Sequence, residues 1–254
     1  MRNVDLSGRN ALITGGSRGI GRAIAQELLR RGAGVAITAR KAEGLAQTAA
    51  ELRGAFPGSK VHAVVANAGR EEDRARAVRE TVAELGSLDI LVNNAATNLA
   101  YGPLLEADLG AVRKIFDTNV VATLGMVQEA HKAWLGEHGG VIVNLASVAG
   151  MRASGPIAAY GTSKAALILL TEELAWELGP SVRVNAVAPA VIKTDFSTKL
   201  YENEAEVASR YPLQRLGTPE DVARLVGFLV SDESSWITGE TVRVDGGLLA
   251  TGNL

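Results

Sequence analysis

The 254-residue sequence contains no cysteine. Disulfides and thiolate chemistry are excluded, and the composition suits a cytoplasmic protein. Histidine is scarce. His62, His131 and His138 have no paired spacing, so no metal site is expected. An excess of one charge is also lacking: a net charge of −2 offers no dedicated nucleic-acid surface. No apolar run reaches the ~20 residues of a membrane span. No signal peptide is visible, and Met1-Arg2-Asn3-Val4-Asp5 is expected to lead straight into the fold. Charge blocks, repeats and Pro/Ser-rich linkers are missing, which points to one domain over residues 1–254.

What is present is a large apolar fraction, 47% of residues, enough for an extensive core. Short apolar runs predict strands at 10–14, 34–39, 61–66, 88–93, 140–146, 182–187 and 241–244. Between them, amphipathic patterns predict helices at 19–31, 41–55, 71–85, 110–136, 157–178, 203–210 and 219–231. The strands are nearly continuous in apolar character, as expected of a parallel sheet covered on both faces. The alternation predicts an α/β fold, a single doubly wound parallel-sheet (Rossmann) domain of about seven strands with helices on both faces. Ligands of such sheets bind beyond the carboxyl ends of the strands. Gly15, Arg40, Asn67, Asn94, Ser147 and Pro189 all fall there.

Two motifs carry chemistry. Thr14-Gly15-Gly16-Ser17-Arg18-Gly19-Ile20-Gly21 follows the first strand and opens the first helix. Glycines there allow a tight turn and close backbone approach, and the helix amino end favours a pyrophosphate. Tyr160 and Lys164 lie four apart in a predicted helix and so share one face. A nearby cation favours phenolate and lowers the tyrosine pKa, making Tyr160 a proton donor at neutral pH. Ser147, at the end of the fifth predicted strand, can present a hydroxyl to the oxygen that Tyr160 protonates. Alone, a Tyr-x-x-x-Lys spacing describes a solvated surface pair better than a catalytic one. The glycine turn at the other end of the chain changes that balance.

Together, from about Leu6 to Leu248, these motifs resemble the classical short-chain dehydrogenase/reductase family. The other marks of the resemblance follow in order: Asn93-Asn94-Ala95-Ala96 after the fourth strand, Asn119, Pro189-Ala190-Val191-Ile192-Lys193-Thr194 after the sixth, Arg215-Leu216-Gly217-Thr218-Pro219-Glu220-Asp221, Ile237-Thr238-Gly239-Glu240, and Val244-Asp245-Gly246-Gly247. The resemblance implies a cofactor half at about 6–100 and a catalytic half at about 101–254. It implies Tyr160 as general acid or base, with Ser147 bonding the substrate oxygen. Lys164 tunes the tyrosine and holds the nicotinamide ribose, and Asn119 interrupts its helix to hold a relay water. The cofactor contacts it implies are Gly15, Ser17, Arg18, Gly19, Ile20, Gly21, Arg40, Asn67, Ala68, Asn94, Ala95, Ala96, Tyr160, Lys164, Pro189, Ala190, Ile192 and Thr194. The sequence departs from the family's pattern in three places. Asn67 stands where aspartate is common, and Ala96 and Ala190 stand where glycine is frequent.

The second strand ends Thr38-Ala39-Arg40, without the acid that would hold a ribose 2′-hydroxyl and repel a 2′-phosphate. Arg40 and Arg18 favour NADP(H) as cofactor. The substrate pocket is expected from Ala96–Asn98, Val148–Ala153, Pro156–Ile157 and 190–211, where Arg152 is the nearby charge able to meet an anion. These residues are mostly small or apolar and suit a neutral ketone or secondary alcohol. The expected activity is therefore that of an NADP-dependent oxidoreductase acting on CH–OH donors. The alternatives are a 3-oxoacyl thioester reductase (acyl carrier protein or CoA) and a catalytically silent NADP(H)-binding sensor. Apolar residues on the two longest helices, Phe116 and Leu170 among them, imply a homotetramer, a dimer of dimers with a second interface over 242–254.

Overall fold

The computed structural model describes residues 5–250. The expected readings on Met1–Val4 and on the last four residues of the tail lie outside the described residues.

Seven strands form one all-parallel sheet in the order β3-β2-β1-β4-β5-β6-β7. They are β1 (Asn10–Thr14), β2 (Gly34–Ala39), β3 (Val61–Val65), β4 (Ile90–Asn93), β5 (Gly140–Leu145), β6 (Val182–Pro189) and β7 (Thr241–Val244). Each predicted strand is found; β1, β2 and β7 keep both ends, and the other four have one end moved by one or two residues. The helices are α1 (Gly19–Arg30), α2 (Ala42–Ala55), α3 (Glu71–Leu85), α4 (Leu109–Phe116), α5 (Ala122–Ala130), α6 (Gly136–His138), α7 (Ala158–Leu178), α8 (Glu204–Ser209) and α9 (Pro219–Leu229). The single predicted helix over 110–136 is in fact α4 to α6 in series, joined by two π-turns, Asp117–Val121 and His131–Leu135. A π-turn keeps the helical path but widens it by one residue, which a 3.6-residue apolar pattern does not register.

The side chains of adjacent strand residues point to opposite faces, and both faces are packed. Ile13, Ile37, Val92 and Val143 meet Ile24 and Leu28 of α1, Leu45 of α2 and Val226 of α9. Leu12, Ala36, Leu91 and Ile142 meet Val78 of α3, Val127 of α5 and Leu174 of α7. This double burial explains why the strands read as unbroken apolar runs. The chain order reverses at β1, which pairs with β2 on one side and β4 on the other. A crevice opens at such a point, beyond the carboxyl ends of β1 and β4.

Candidate active site

That crevice is a cleft of about 1210 Å³. Its floor is the glycine turn between β1 and α1. Gly15 and Gly19 have φ of +67° and +52°, a region that side-chain-bearing residues rarely adopt. A Cβ on Gly16 would stand 2.7 Å from Ile37, and one on Gly21 would collide with the Gly15 carbonyl. Arg18 caps α1 through its backbone alone, and no acid occupies the helix's first turn. An uncapped amino end with room above it suits an anion, so the turn fits the pyrophosphate of a dinucleotide. Thr14 and Asn94 hold the turn in shape. Asn94 Nδ2 donates to the carbonyls of Thr14 and Gly15 at 2.9 and 3.1 Å, and Thr14 Oγ1 accepts from the amides of Asn94 and Ala95. The Asn94 amide therefore braces the cradle, while its residue also lines the cleft.

Farther along one wall lie Arg40, Asn67 and Ala68, after β2 and β3. Arg40 is exposed, and Arg18 reaches Asp195 at 3.4 Å across the cleft. Asn67 turns its Oδ1 to the Gly69 amide, and its backbone N–H donates to Asp73. Its side-chain oxygen is thus partnered locally, leaving the amide nitrogen as the group for a ligand. Ile20, Ala96, Pro189, Ala190, Ile192 and Thr194 also line the cleft. Among the described non-glycine residues only Gln214 has positive φ, so Ala96 and Ala190 carry their methyls without backbone strain. Replacement of the family's usual glycine at these two places costs no conformational energy.

The far corner of the cleft is built by β5, α7 and the Asp117–Val121 π-turn. Helix α7 sets Tyr160, Lys164, Leu167, Thr171 and Leu174 on its buried side. Ser147, two residues beyond β5, caps the turn Val148–Gly150 by accepting from Ala149 N at 3.1 Å, and hydrogen-bonds Tyr160. Lys164 Nζ donates to the Leu145 carbonyl at 2.6 Å and lies 5.5 Å from the Tyr160 ring centre. Asn119, in the π-turn, is fully buried. Its Nδ2 donates to Thr97 O and Ser163 Oγ, both at 3.0 Å, and its Oδ1 accepts from Thr97 N at 2.8 Å.

Electrostatics in this corner differ from the sequence expectation of a lowered tyrosine pKa. Burial raises Tyr160 well above its ordinary value; the Ser147 hydrogen bond opposes this and nearby Tyr101 adds to it. Burial pushes Lys164 down to about 7. Desolvation of both groups in this corner prevails over the charge attraction that helical spacing alone suggests.

The sequence reading missed Leu99 and Tyr101 of the cleft. Tyr101 lies under Lys199 at 5.0 Å, and Phe196, within the expected 190–211 segment, faces Tyr160 with ring centres 6.1 Å apart. Tyr101 is an exposed loop aromatic brought in by tertiary packing, and its spacing carries no signal. Behind the strand ends, Asn93 Nδ2 donates to Asn144 Oδ1 and Asn144 Nδ2 to Thr171 Oγ1, each at 3.0 Å. This buried chain ties β4 and β5 to α7. Two of the three histidines have local partners: His62 lies 3.3 Å from Glu80, and His138 stacks on Trp134.

A family model described as enoyl-(acyl carrier protein) reductase matches residues 15–249. Human dehydrogenase/reductase SDR family member 4 is 40% identical over 250 residues, 97% of this chain and 89% of that protein. This chain is a short-chain dehydrogenase/reductase. Solved structures agree on the fold of the dehydrogenase. A blue fluorescent protein from a metagenomic library, in complex with NADPH, is 33% identical with a TM-score of 0.88, covering 96% of this chain and 99% of its own. A 7α-hydroxysteroid dehydrogenase complexed with NADH and 7-oxo glycochenodeoxycholic acid is 30% identical with a TM-score of 0.90, covering 96% of each chain. The dehydrogenase thus resembles one protein solved with NADPH and another solved with NADH. Nicotinamide cofactors are the family's common feature, and the glycine cradle of this chain is consistent with one.

Proposed function

We propose that the protein is an NADP(H)-dependent oxidoreductase that interconverts a ketone and a secondary alcohol. The meeting of Ser147, Tyr160 and Lys164 in one buried corner of the glycine-floored cleft carries this reading. A bound nicotinamide supplies the hydride for reduction or accepts it in oxidation. The protein's own groups do the rest. Tyr160, kept protonated by burial, donates its phenolic proton to the substrate oxygen, and in oxidation takes it back. Ser147 Oγ hydrogen-bonds the same oxygen as negative charge develops on it. Lys164, poised at about 7, holds the ribose and exchanges a proton with Tyr160 as the tyrosine is spent and restored. Asn119 fixes the π-turn behind them and supports a water-mediated relay to Lys164. Arg40 and Arg18 would flank a 2′-phosphate at the adenosine end, where β2 ends without an acid.

The cleft residues that match the expected pocket, Ala96–Asn98, Val148, Ala149, Arg152, Ala153, Pro156 and Ile157, favour a small-molecule carbonyl over a nucleic acid or membrane partner. A 3-oxoacyl thioester remains the second reading, supported by the family model's acyl-carrier description. The intact Ser147, Tyr160, Lys164 and Asn119 set speaks against a silent sensor. We place this activity in one dehydrogenase domain of a cytoplasmic homotetramer. Tyr160→Phe tests the reading. It should retain NADPH binding by fluorescence titration yet lose ketone reduction by ~10²-fold or more. Near-normal turnover by that variant would refute Tyr160 as the acid.

A further inference from the structure

The cleft walls carry more positive charge than a protein of net charge −2 would lead one to expect. Arg18, Arg40, Lys41, Lys114, Arg152, Lys164, Lys193 and Arg210 line it, against Glu43 and Asp195 alone. Toward the substrate end most of these cations already have partners. Lys193 pairs with Glu204 and Arg210 with Glu206 at 2.6 Å, while Arg18, at the adenosine end, meets Asp195 at 3.4 Å. Lys199, nearby, is stacked over Tyr101. Arg152 differs: it faces the cleft with no acid within ion-pair distance among the described residues.

Its position is fixed by the backbone beneath it. Arg152 follows the turn Val148–Gly150, which Ser147 caps. Gly150 lies so close to α7 that a Cβ there would stand 2.6 Å from the Ala165 amide nitrogen. The turn is thereby seated on the helix that carries Tyr160 and Lys164, between the reacting corner and the far wall. On that far wall Tyr211 feels the charge of Arg152, but its hydroxyl is engaged by the Val191 N–H at 3.3 Å. No hydrogen bond joins Tyr211 to Arg152 among the described residues, so the guanidinium is available to a ligand.

Resting on the oxidoreductase reading above, we propose that Arg152 is its specificity-determining residue and holds the carboxylate of a keto acid or hydroxy acid. One unpartnered guanidinium matches a monoanion, and its planar fork fits a carboxylate in two parallel hydrogen bonds. A phosphate dianion would call for a second free cation, and the neighbours are paired. The carboxylate does not react; it orients the carbonyl toward Tyr160 and Ser147, and the bonds made and broken are those of the reduction already described.

The test compares acids with their neutral esters. Benzoylformate, 4-oxopentanoate and 5-oxohexanoate, each with its methyl ester, are assayed with NADPH. The wild-type enzyme should favour the acid in at least one pair by about 10-fold in kcat/KM, the scale of one charge-assisted contact. Arg152→Ala should lose that preference, mainly through KM, while ester reduction stays within about twofold, and Arg152→Lys should recover part of it. NADPH binding by fluorescence verifies that each variant is folded. Equal use of acid and ester by the wild type, or equal loss of both in Arg152→Ala, would overturn the proposal while leaving the oxidoreductase reading intact. Loss of acetoacetyl-CoA reduction in Arg152→Ala with the acids unaffected would reassign Arg152 to the phosphates of a thioester, and also overturn it. Reduction of none of the six compounds would count against both readings.

Discussion

Among the described residues, Lys164 is the only buried lysine or arginine, 2% exposed with the Leu145 carbonyl as its hydrogen-bond acceptor. Its depressed pKa has a stability consequence. Between about 7 and 10.5 the unfolded chain binds the lysine proton and the folded chain does not, so stability rises with pH across that window. Below pH 7 both states are protonated and the burial penalty is constant. The cofactor-free protein should therefore gain on the order of 2 kcal/mol from pH 7 to pH 9 relative to Lys164→Met, read as a difference in denaturant midpoints. A parallel pH dependence in the two proteins would show that Lys164 keeps an ordinary pKa. Tyr160 does not disturb the interval from pH 7 to pH 9, because its raised pKa costs stability only above its unfolded value of 10.0. At the other end of the cleft, Arg40 is exposed and lines the wall after β2. Catalytic efficiency with NADPH should exceed that with NADH by at least ~10-fold, and Arg40→Asp should reverse the order. Equal use of both cofactors by the unmodified enzyme would refute the phosphate assignment.

At the scale of elements, α9 shows how a local signal in sequence becomes a fixed helix start. Thr218 and Asp221 form a reciprocal capping box, with Pro219 in the first turn. Asp221 also takes Arg215 at 2.6 Å, and that hydrogen bond is the largest cause holding its carboxyl down to about 2. Its folded value lies below its unfolded value of 3.8, so the contribution is present above pH 3.8 and is lost as pH falls through about 2. Asp221→Ala should destabilise the protein by about 1–2 kcal/mol at pH 7 and flatten the acid limb of its stability curve. An unchanged midpoint would mean that the cap is solvated rather than structural. The Asp117–Val121 π-turn is a contrasting case. The apolar pattern runs through Asn119, and only the family resemblance marks it as a break; the widened turn goes with its bonds to Thr97 and Ser163, one on a distant loop and the other on α7.

At the scale of the molecule, the two longest helical runs expose a different apolar set from that expected. Phe116 and Leu170 are half-buried, and Leu170 packs on the core of its own subunit. Leu109, Val121, Leu169 and Trp176 are the exposed ones, at 64%, 57%, 57% and 88%. If the helices meet a symmetry mate, these side chains are the ones that touch it. Light scattering should give a mass near four chains, and Leu169→Glu with Val121→Glu should dissociate the assembly while circular dichroism keeps its folded spectrum. A monomeric wild type at micromolar concentration would sink the tetramer. A charge at Leu170, by contrast, tests the core.

The fold class was determined by sequence alone, because each strand of a doubly covered parallel sheet must be apolar along its length and each crossover helix must be amphipathic. Gly15, Gly19 and Gly21 were legible for the same kind of reason: the turn needs positive φ or a missing Cβ. The Tyr160–Lys164 pair was legible because helical spacing is a local property. Tertiary structure decided what depends on neighbours far apart in the chain. Burial sets the pKa values of Tyr160 and Lys164. The folded loops bring Phe196 to Tyr160 and Lys199 over Tyr101. The same folding partners Arg18 and Lys193 with acids and leaves Arg152 facing the cleft. Desolvation and charge pairing are properties of distance in space, and Arg18 and its partner Asp195 stand 177 residues apart along the sequence.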